Sequence, residues 1–203
     1  MTQTDQIKSP KLLVVATGNQ GKLKEMQANM ADFDLKLQLK PEELEIEETG
    51  DTFMANARLK AGEVAKFTGE WAMADDSGLA VDALQGMPGV YSARYAPTDK
   101  ERIERLLQEL EDSTNRKAQF ICALAIARPD GSIALEVEGI CEGEIMYTPR
   151  GSGGFGYDPI FYLRDQNMTF AEMPPETKRS LSHRGKAFQA LLPQLKKLVI
   201  GNG

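Results

Sequence analysis

Between Phe120 and Val137 the chain spells out an antiparallel hairpin, and that hairpin constrains the fold more than any other segment. Phe120, Cys122, Leu124 and Ile126 fall on alternate positions, Pro129-Asp130-Gly131 supplies a turn, and Ile133, Leu135 and Val137 alternate again. The flanking segments mix two periods. Lys11 to Ala16, Leu35 to Leu39, Trp71 to Ala74 and Ile160 to Leu163 read as strands. Leu23/Met26/Met30, Phe53/Ala57/Ala61/Val64/Ala65, Ile103/Leu106/Leu107/Leu110 and Phe188/Leu191/Leu192/Leu195/Val199 recur at helical spacing. Strands interleaved with helices and joined by a hairpin predict an α/β fold on a mixed sheet, not a strictly parallel one. Residues 1–10 read as a polar extension and residues 11–203 as a single domain, with a boundary between two lobes near Asp112.

Lys+Arg 24 against Asp+Glu 30 leaves a net charge of -6, which argues against wholesale docking on nucleic acid, since neutralising many phosphates needs a basic face. An anionic ligand must then be captured by a local basic pocket. Cys122 and Cys141 form no Cys-x-x-Cys pair and the chain has a single histidine, His183, so a zinc site is not expected and the thiols read as reduced and structural. The apolar run from Phe120 to Ala127 falls well short of the ~18 residues that span a bilayer. The expected compartment is the cytoplasm, with no membrane partner.

Three polar clusters follow apolar segments. Thr17-Gly18-Asn19-Gln20-Gly21-Lys22 lies between a strand and a helix, where N–H groups at the helix start and a lysine favour phosphate. It is not a P-loop, because Ala16 stands at the glycine position and Leu23 follows Lys22. A plain strand-to-helix turn is its other reading. Asp75-Asp76-Ser77-Gly78 follows the Trp71–Ala74 strand. Strand alternation would send the two carboxylates to opposite faces, but Ser77-Gly78 supplies a bend that turns both toward one cleft. With Glu48, just ahead of a helix capped by Asp51 or Thr52, they would suit Mg²⁺. The plainer reading is a solvated acidic turn or a cap. Against it stands the apolar frame on both sides, where two adjacent charges need a counter-ion.

Gly151 to Gly156 matches G-x-G-x-x-G, yet it leads into a strand rather than a helix, so a dinucleotide site is rejected. Around Phe155 and Tyr157 the glycines would let a flat base reach an aromatic face, or simply form a tight turn over core aromatics. His183-Arg184 opens the last helix with Lys178 upstream, and a lone histidine is more often structural.

Taken in order, Thr17-Gly18-Asn19-x-x-Lys22, Glu47-Glu48-Thr49-Gly50, Ala74 to Gly78, Pro88 to Tyr95, Gly154 to Pro159 and Ser182-His183-Arg184-Gly185 closely resemble the inosine/xanthosine triphosphate pyrophosphatase family, over Lys11 to about Leu198. The resemblance implies two lobes around a long mixed sheet with flanking helices, an active-site cleft between them, a homodimer and Mg²⁺ dependence. It implies cleavage of deaminated purine nucleoside triphosphates (ITP, dITP, XTP) to the monophosphate and pyrophosphate. Residues matching the family's substrate loops are Thr17, Gly18, Asn19, Gln20, Gly21, Lys22, Ser77, Phe155, Gly156, Tyr157, Asp158, Lys178, His183 and Arg184. Asp76 matches its proton acceptor and metal ligand, Glu48 and Asp75 are further candidate metal ligands, and Lys22 would offset phosphate charge. The alternatives are a pyrophosphatase for pyrimidine or other modified nucleotides, and a nucleotide-sensing module without hydrolysis.

Overall fold

The computed structural model describes residues 11–200. The N-terminal extension 1–10 and residues 201–203 lie outside the described residues. β1 (Leu12–Val15) leads into α1 (Gln20–Asn29), whose N-cap Asn19 accepts from the N–H groups of Gly21 and Lys22. β2 (Lys36–Leu39) then pairs in parallel with β1. Thr52, one of the two expected caps, accepts from the Ala55 N–H and starts α2 (Phe53–Thr68), which Gly69 ends in the left-handed conformation. β3 (Ala72–Val81) runs parallel to β1. A capping box of Thr98 and Glu101 starts α3 (Asp99–Glu109).

The expected hairpin is present as β4 (Lys117–Ala127) and β5 (Ile133–Ile145). β6 (Phe161–Leu163) and β7 (Met168–Thr169) complete a seven-stranded mixed sheet in the order β2-β1-β3-β4-β5-β6-β7. The chain closes with α4 (Pro175–Leu181) and α5 (His183–Ile200). α4 has no counterpart in the sequence pattern. It begins at Pro175, whose missing N–H costs nothing in a first helical turn, and it carries Lys178.

The two faces of the sheet differ in side-chain size. Ala72, Ala74, Ala123 and Ala125 point to one side, so α2 with Ala57, Ala61 and Ala65 settles close to the strands. The intervening Met73, Cys122, Leu124 and Ile126 point to the other side and pack on α1 and α5 through Met26, Phe188 and Leu191. A third core gathers Leu79, Val81, Leu106, Phe120, Phe161 and Phe170. β3 places Met73 in one core and Leu79 in another, and β4 divides between Cys122 and Phe120.

Candidate active site

The double aspartate sits inside β3, not after it. Asp75 pairs with Leu124 and Asp76 with Ala123 in an unbroken antiparallel ladder, so alternation holds and the carboxylates leave on opposite faces of the sheet. The expected bend at Ser77-Gly78 does not occur. Gly78 remains in the strand and its bare Cα lets the Gly89–Ser92 turn lie against it, with Ser92 Oγ accepting from the Leu79 N–H at 2.9 Å. The two acids therefore have different tasks.

Asp75 is 1% exposed on the α1/α5 side. Its Oδ2 holds Lys22 Nζ at 3.0 Å and Arg184 Nη2 at 2.9 Å, and accepts from Ser77 Oγ at 3.2 Å. Burial alone would push its carboxyl pKa up, but the charges of Lys22, Arg184 and Lys60 outweigh that and hold it well below the carboxylate range. It does not line the cleft, so it makes no cleft-facing metal ligand.

Asp76 projects to the α2 side. Lys60 Nζ bridges it to Glu48, 3.1 Å from Asp76 Oδ1 and 2.6 Å from Glu48 Oε1, and Asn56 Nδ2 donates to Asp76 Oδ2 at 3.1 Å. Burial, reinforced by the Glu48 charge, raises the Asp76 pKa against the pull of Lys60 and Lys22. Adjacent carboxylates are thus driven in opposite directions, one a fixed anion and the other able to exchange a proton.

At the other end, Phe155 lies against Gly21, where an added Cβ would come within 2.8 Å of its ring. The absent side chain at position 21 thereby brings the first and last motifs together. Asp158 Oδ2 accepts from the Phe155 N–H at 2.8 Å and from Lys178 Nζ at 2.7 Å, and Lys178 Nζ stands 4.9 Å from the Phe155 ring centroid. Glu25 ties Lys178 (2.9 Å) to Arg184. Tyr157 is buried and donates to the Ser92 carbonyl, while Gly156 donates its N–H to Asp99. His183 stacks on Phe120 with ring centroids 4.6 Å apart, and burial pushes its pKa well below the usual value, so it is a neutral imidazole. Its Nδ1 and Arg184 Nε are buried without a hydrogen-bond partner among the described residues.

A cleft of about 160 Å³ joins these groups. Asn19, Lys22, Glu48, Asp76 and Ser77 face it from one end, and Phe155 to Asp158, Lys178, His183 and Arg184 from the other. Thr17 and Gly18 line an adjoining chamber of about 260 Å³. Another, of about 400 Å³, is walled by Phe170, Met173, Lys178 and Arg184. Gln20 is exposed and faces neither the cleft nor these chambers. Gly21 supports Phe155 instead of facing the cleft. The Gly21 and Lys22 N–H groups are taken by Asn19 Oδ1 at 2.8 and 3.1 Å, so at these positions the loop meets an anion through the Lys22 ammonium rather than through backbone donors. A separate hollow of about 610 Å³ beside Glu142, Arg164 and Lys186 contains none of the expected site residues.

The model of the Ham1 family matches residues 13–194. The chain belongs to the Ham1 family. It is 68% identical over 185 residues, 91% of this chain and 94% of the relative, to a Nostoc sp. protein named dITP/XTP pyrophosphatase. A Synechocystis sp. protein of the same name is 60% identical over 182 residues, 90% of this chain and 94% of its own. Among solved structures, a HAM1 protein from Coxiella burnetii superimposes with a TM-score of 0.85 at 44% identity, covering 92% of this chain and 98% of its own. The Staphylococcus aureus Ham1 protein gives 0.80 at 39% identity, covering 92% and 98%.

Within this Ham1 chain the sequence reading passed over Lys60, Asn56 and Glu25. The first two were detectable, because they share the helical stripe of Phe53, Ala57, Ala61 and Val64, where a lysine and an asparagine on an apolar face need partners. Glu25 carries no such signal, since its role depends on α1 packing beside Lys178 and Arg184.

The Asp75 cluster makes a stability prediction. Asp75→Asn leaves the Arg184 guanidinium, 2% exposed, short of a counter-charge and should cost about 3–5 kcal/mol in urea unfolding at pH 7. Because the folded pKa of Asp75 is depressed, the stability it provides is present above its unfolded pKa of ~3.9 and is lost as pH falls toward the folded value. The gap between wild type and variant should therefore narrow in strong acid. An unchanged urea midpoint at pH 7 would contradict this assignment.

Proposed function

We propose that the protein hydrolyses deaminated purine nucleoside triphosphates, ITP, dITP and XTP, to the monophosphate and pyrophosphate. The observation that carries this reading is the polarity of the cleft. Asp76 and Glu48 meet at one end, and the Lys178–Asp158 pair stands beside Phe155 at the other. The Ham1 membership and the names of the relatives agree with it.

Phe155 offers the base a stacking surface. The edge of a 6-oxopurine presents an O6 acceptor beside an N1–H donor, which complements an ammonium beside a carboxylate, as in Lys178 and Asp158. Arg184 Nε, which has no acceptor among the described residues, adds a donor. At the phosphate end, Lys22 and Lys60 offset charge on the tail. Asp76 accepts a proton as water attacks the α-phosphorus, the bond from that phosphorus to the bridging oxygen breaks, and pyrophosphate leaves.

The donor set suits Mg²⁺. Glu48 and Asp76 are hard oxygen ligands that already share one positive charge, the Lys60 ammonium, and Mg²⁺ commonly takes one or two carboxylates with the rest of its shell from water and phosphate. Among the described residues no group of three or more His, Cys, Asp or Glu side chains forms a metal cage, so the substrate's phosphates would complete the set. When bound, the ion would neutralise phosphate charge next to Asp76. In the same proposal the protein is a cytoplasmic homodimer, with the Met87–Tyr95 loop, where Met87 and Tyr91 are exposed, as the subunit contact. No helix among the described residues is long and apolar enough to cross a membrane.

Product analysis tests the reaction. ITP with Mg²⁺ should give IMP and pyrophosphate in equal amounts, whereas IDP with inorganic phosphate, or no turnover, would contradict it.

A further inference from the structure

The cleft alone is too small for the proposed substrate. Its volume of about 160 Å³ lies below the roughly 300 Å³ at which pockets for small ligands begin, so a purine nucleoside triphosphate must extend beyond it. With the base at Phe155 and the phosphates passing Lys22 and Asp76, the tail continues into the chamber of about 260 Å³, which shares Asn19, Lys22, Glu48 and Ala93 with the cleft but does not include Phe155.

That chamber sits where the topology opens a crevice. β1 leads to α1 on one face of the sheet and the neighbouring parallel β2 leads to α2 on the other. Strands whose onward connections part in this way bind ligands beyond their carboxyl ends. Lys40 is the first residue after β2, and its backbone N–H donates to the Val15 carbonyl at the end of β1. Three lysines line the chamber, and two are already balanced, Lys22 by Asp75 and Lys60 by Glu48 and Asp76. Lys40 differs. Its half-buried ammonium donates to the carbonyls of Leu44 at 2.5 Å and Pro41 at 3.4 Å, and no carboxylate among the described residues lies within ion-pair reach. Two carbonyl contacts hold the group at the chamber wall and leave a third donor, and the one carboxylate lining the chamber, Glu48, is held by Lys60.

We infer that Lys40 grips the distal phosphates of the substrate tail and, after cleavage, the pyrophosphate, making it a determinant of tail length. The inference rests on the function proposed above and adds to it a residue that no sequence motif singled out. Lys40 lines the adjoining chamber and not the cleft at Phe155, so its loss should separate the two products.

The test compares wild type, Lys40→Met and Lys40→Arg by calorimetric titration with Mg-pyrophosphate and, separately, with IMP, alongside KM for ITP. Lys40→Met should bind pyrophosphate on the order of tenfold more weakly, the loss of one charge-assisted hydrogen bond. It should raise KM for ITP and leave IMP affinity unchanged, and Lys40→Arg should recover most of the pyrophosphate affinity. Equal pyrophosphate affinity in Lys40→Met and wild type overturns the assignment, as does a parallel loss of IMP affinity, which would mark a merely structural lysine. Titration needs no turnover, so it reads Lys40 independently of the reaction. A wild type that forms no IMP from ITP fails the parent proposal alone.

Discussion

Asp76→Asn should slow pyrophosphate release from ITP on the order of 10³-fold with the fold intact, the usual scale for removing a general base that also carries needed charge. Asparagine keeps the shape of the side chain and an oxygen for Lys60 Nζ, but it cannot take the proton of the attacking water. Stability should not fall. The Asp76 pKa is raised in the folded protein, so its ionised form is a cost to the fold at pH values above that pKa, and removing the charge relieves it. The melting temperature should stay level or rise, opposite to Asp75→Asn. In the protein without Mg²⁺, the same raised pKa puts protonation of Asp76 above the ~3.9 of an ordinary aspartate. A stopped assay for pyrophosphate with a parallel thermal melt checks both halves. Near-normal turnover in the variant would remove Asp76 from the chemistry.

The double aspartate also shows where sequence reasoning stopped. Adjacent acids in an apolar frame signalled a buried charge site, and both are buried. Reading Ser77-Gly78 as a bend put them on one cleft, because a glycine that bends a strand and a glycine that admits a neighbouring turn look alike in sequence. Only the pairing with β4 separates them. The hairpin was legible because alternation in Phe120–Ile126 and Ile133–Val137 is local and the intervening turn is short. The division of the core was not, since β3 and β4 each contribute to two clusters and no composition change marks the crossing. At the site, the motifs named the cations Lys22, Lys178 and Arg184. Their partners Glu25 and Asp75 and the Lys60 bridge depend on contacts between elements distant in sequence.

Base selectivity is the second large effect expected. The Lys178 ammonium can only donate and the Asp158 carboxylate beside it can only accept, so the pair is matched to the O6 and N1–H of a 6-oxopurine. Adenine reverses the 6-oxopurine edge, presenting an amino donor where O6 accepts and a bare N1 where N1–H donates. Donors left unpaired in a buried site reject such an analogue by ~10⁴–10⁵ in kcat/KM. Guanine shares O6 and N1–H with hypoxanthine and differs at position 2, so its rejection depends on the other edge of the pocket.

The most direct measurement is therefore kcat/KM for pyrophosphate release from ITP, XTP, GTP and ATP, side by side with Mg²⁺. The account predicts ITP and XTP turned over efficiently, GTP far less and ATP lowest by about four orders of magnitude. Equal rates for ITP and ATP would contradict it.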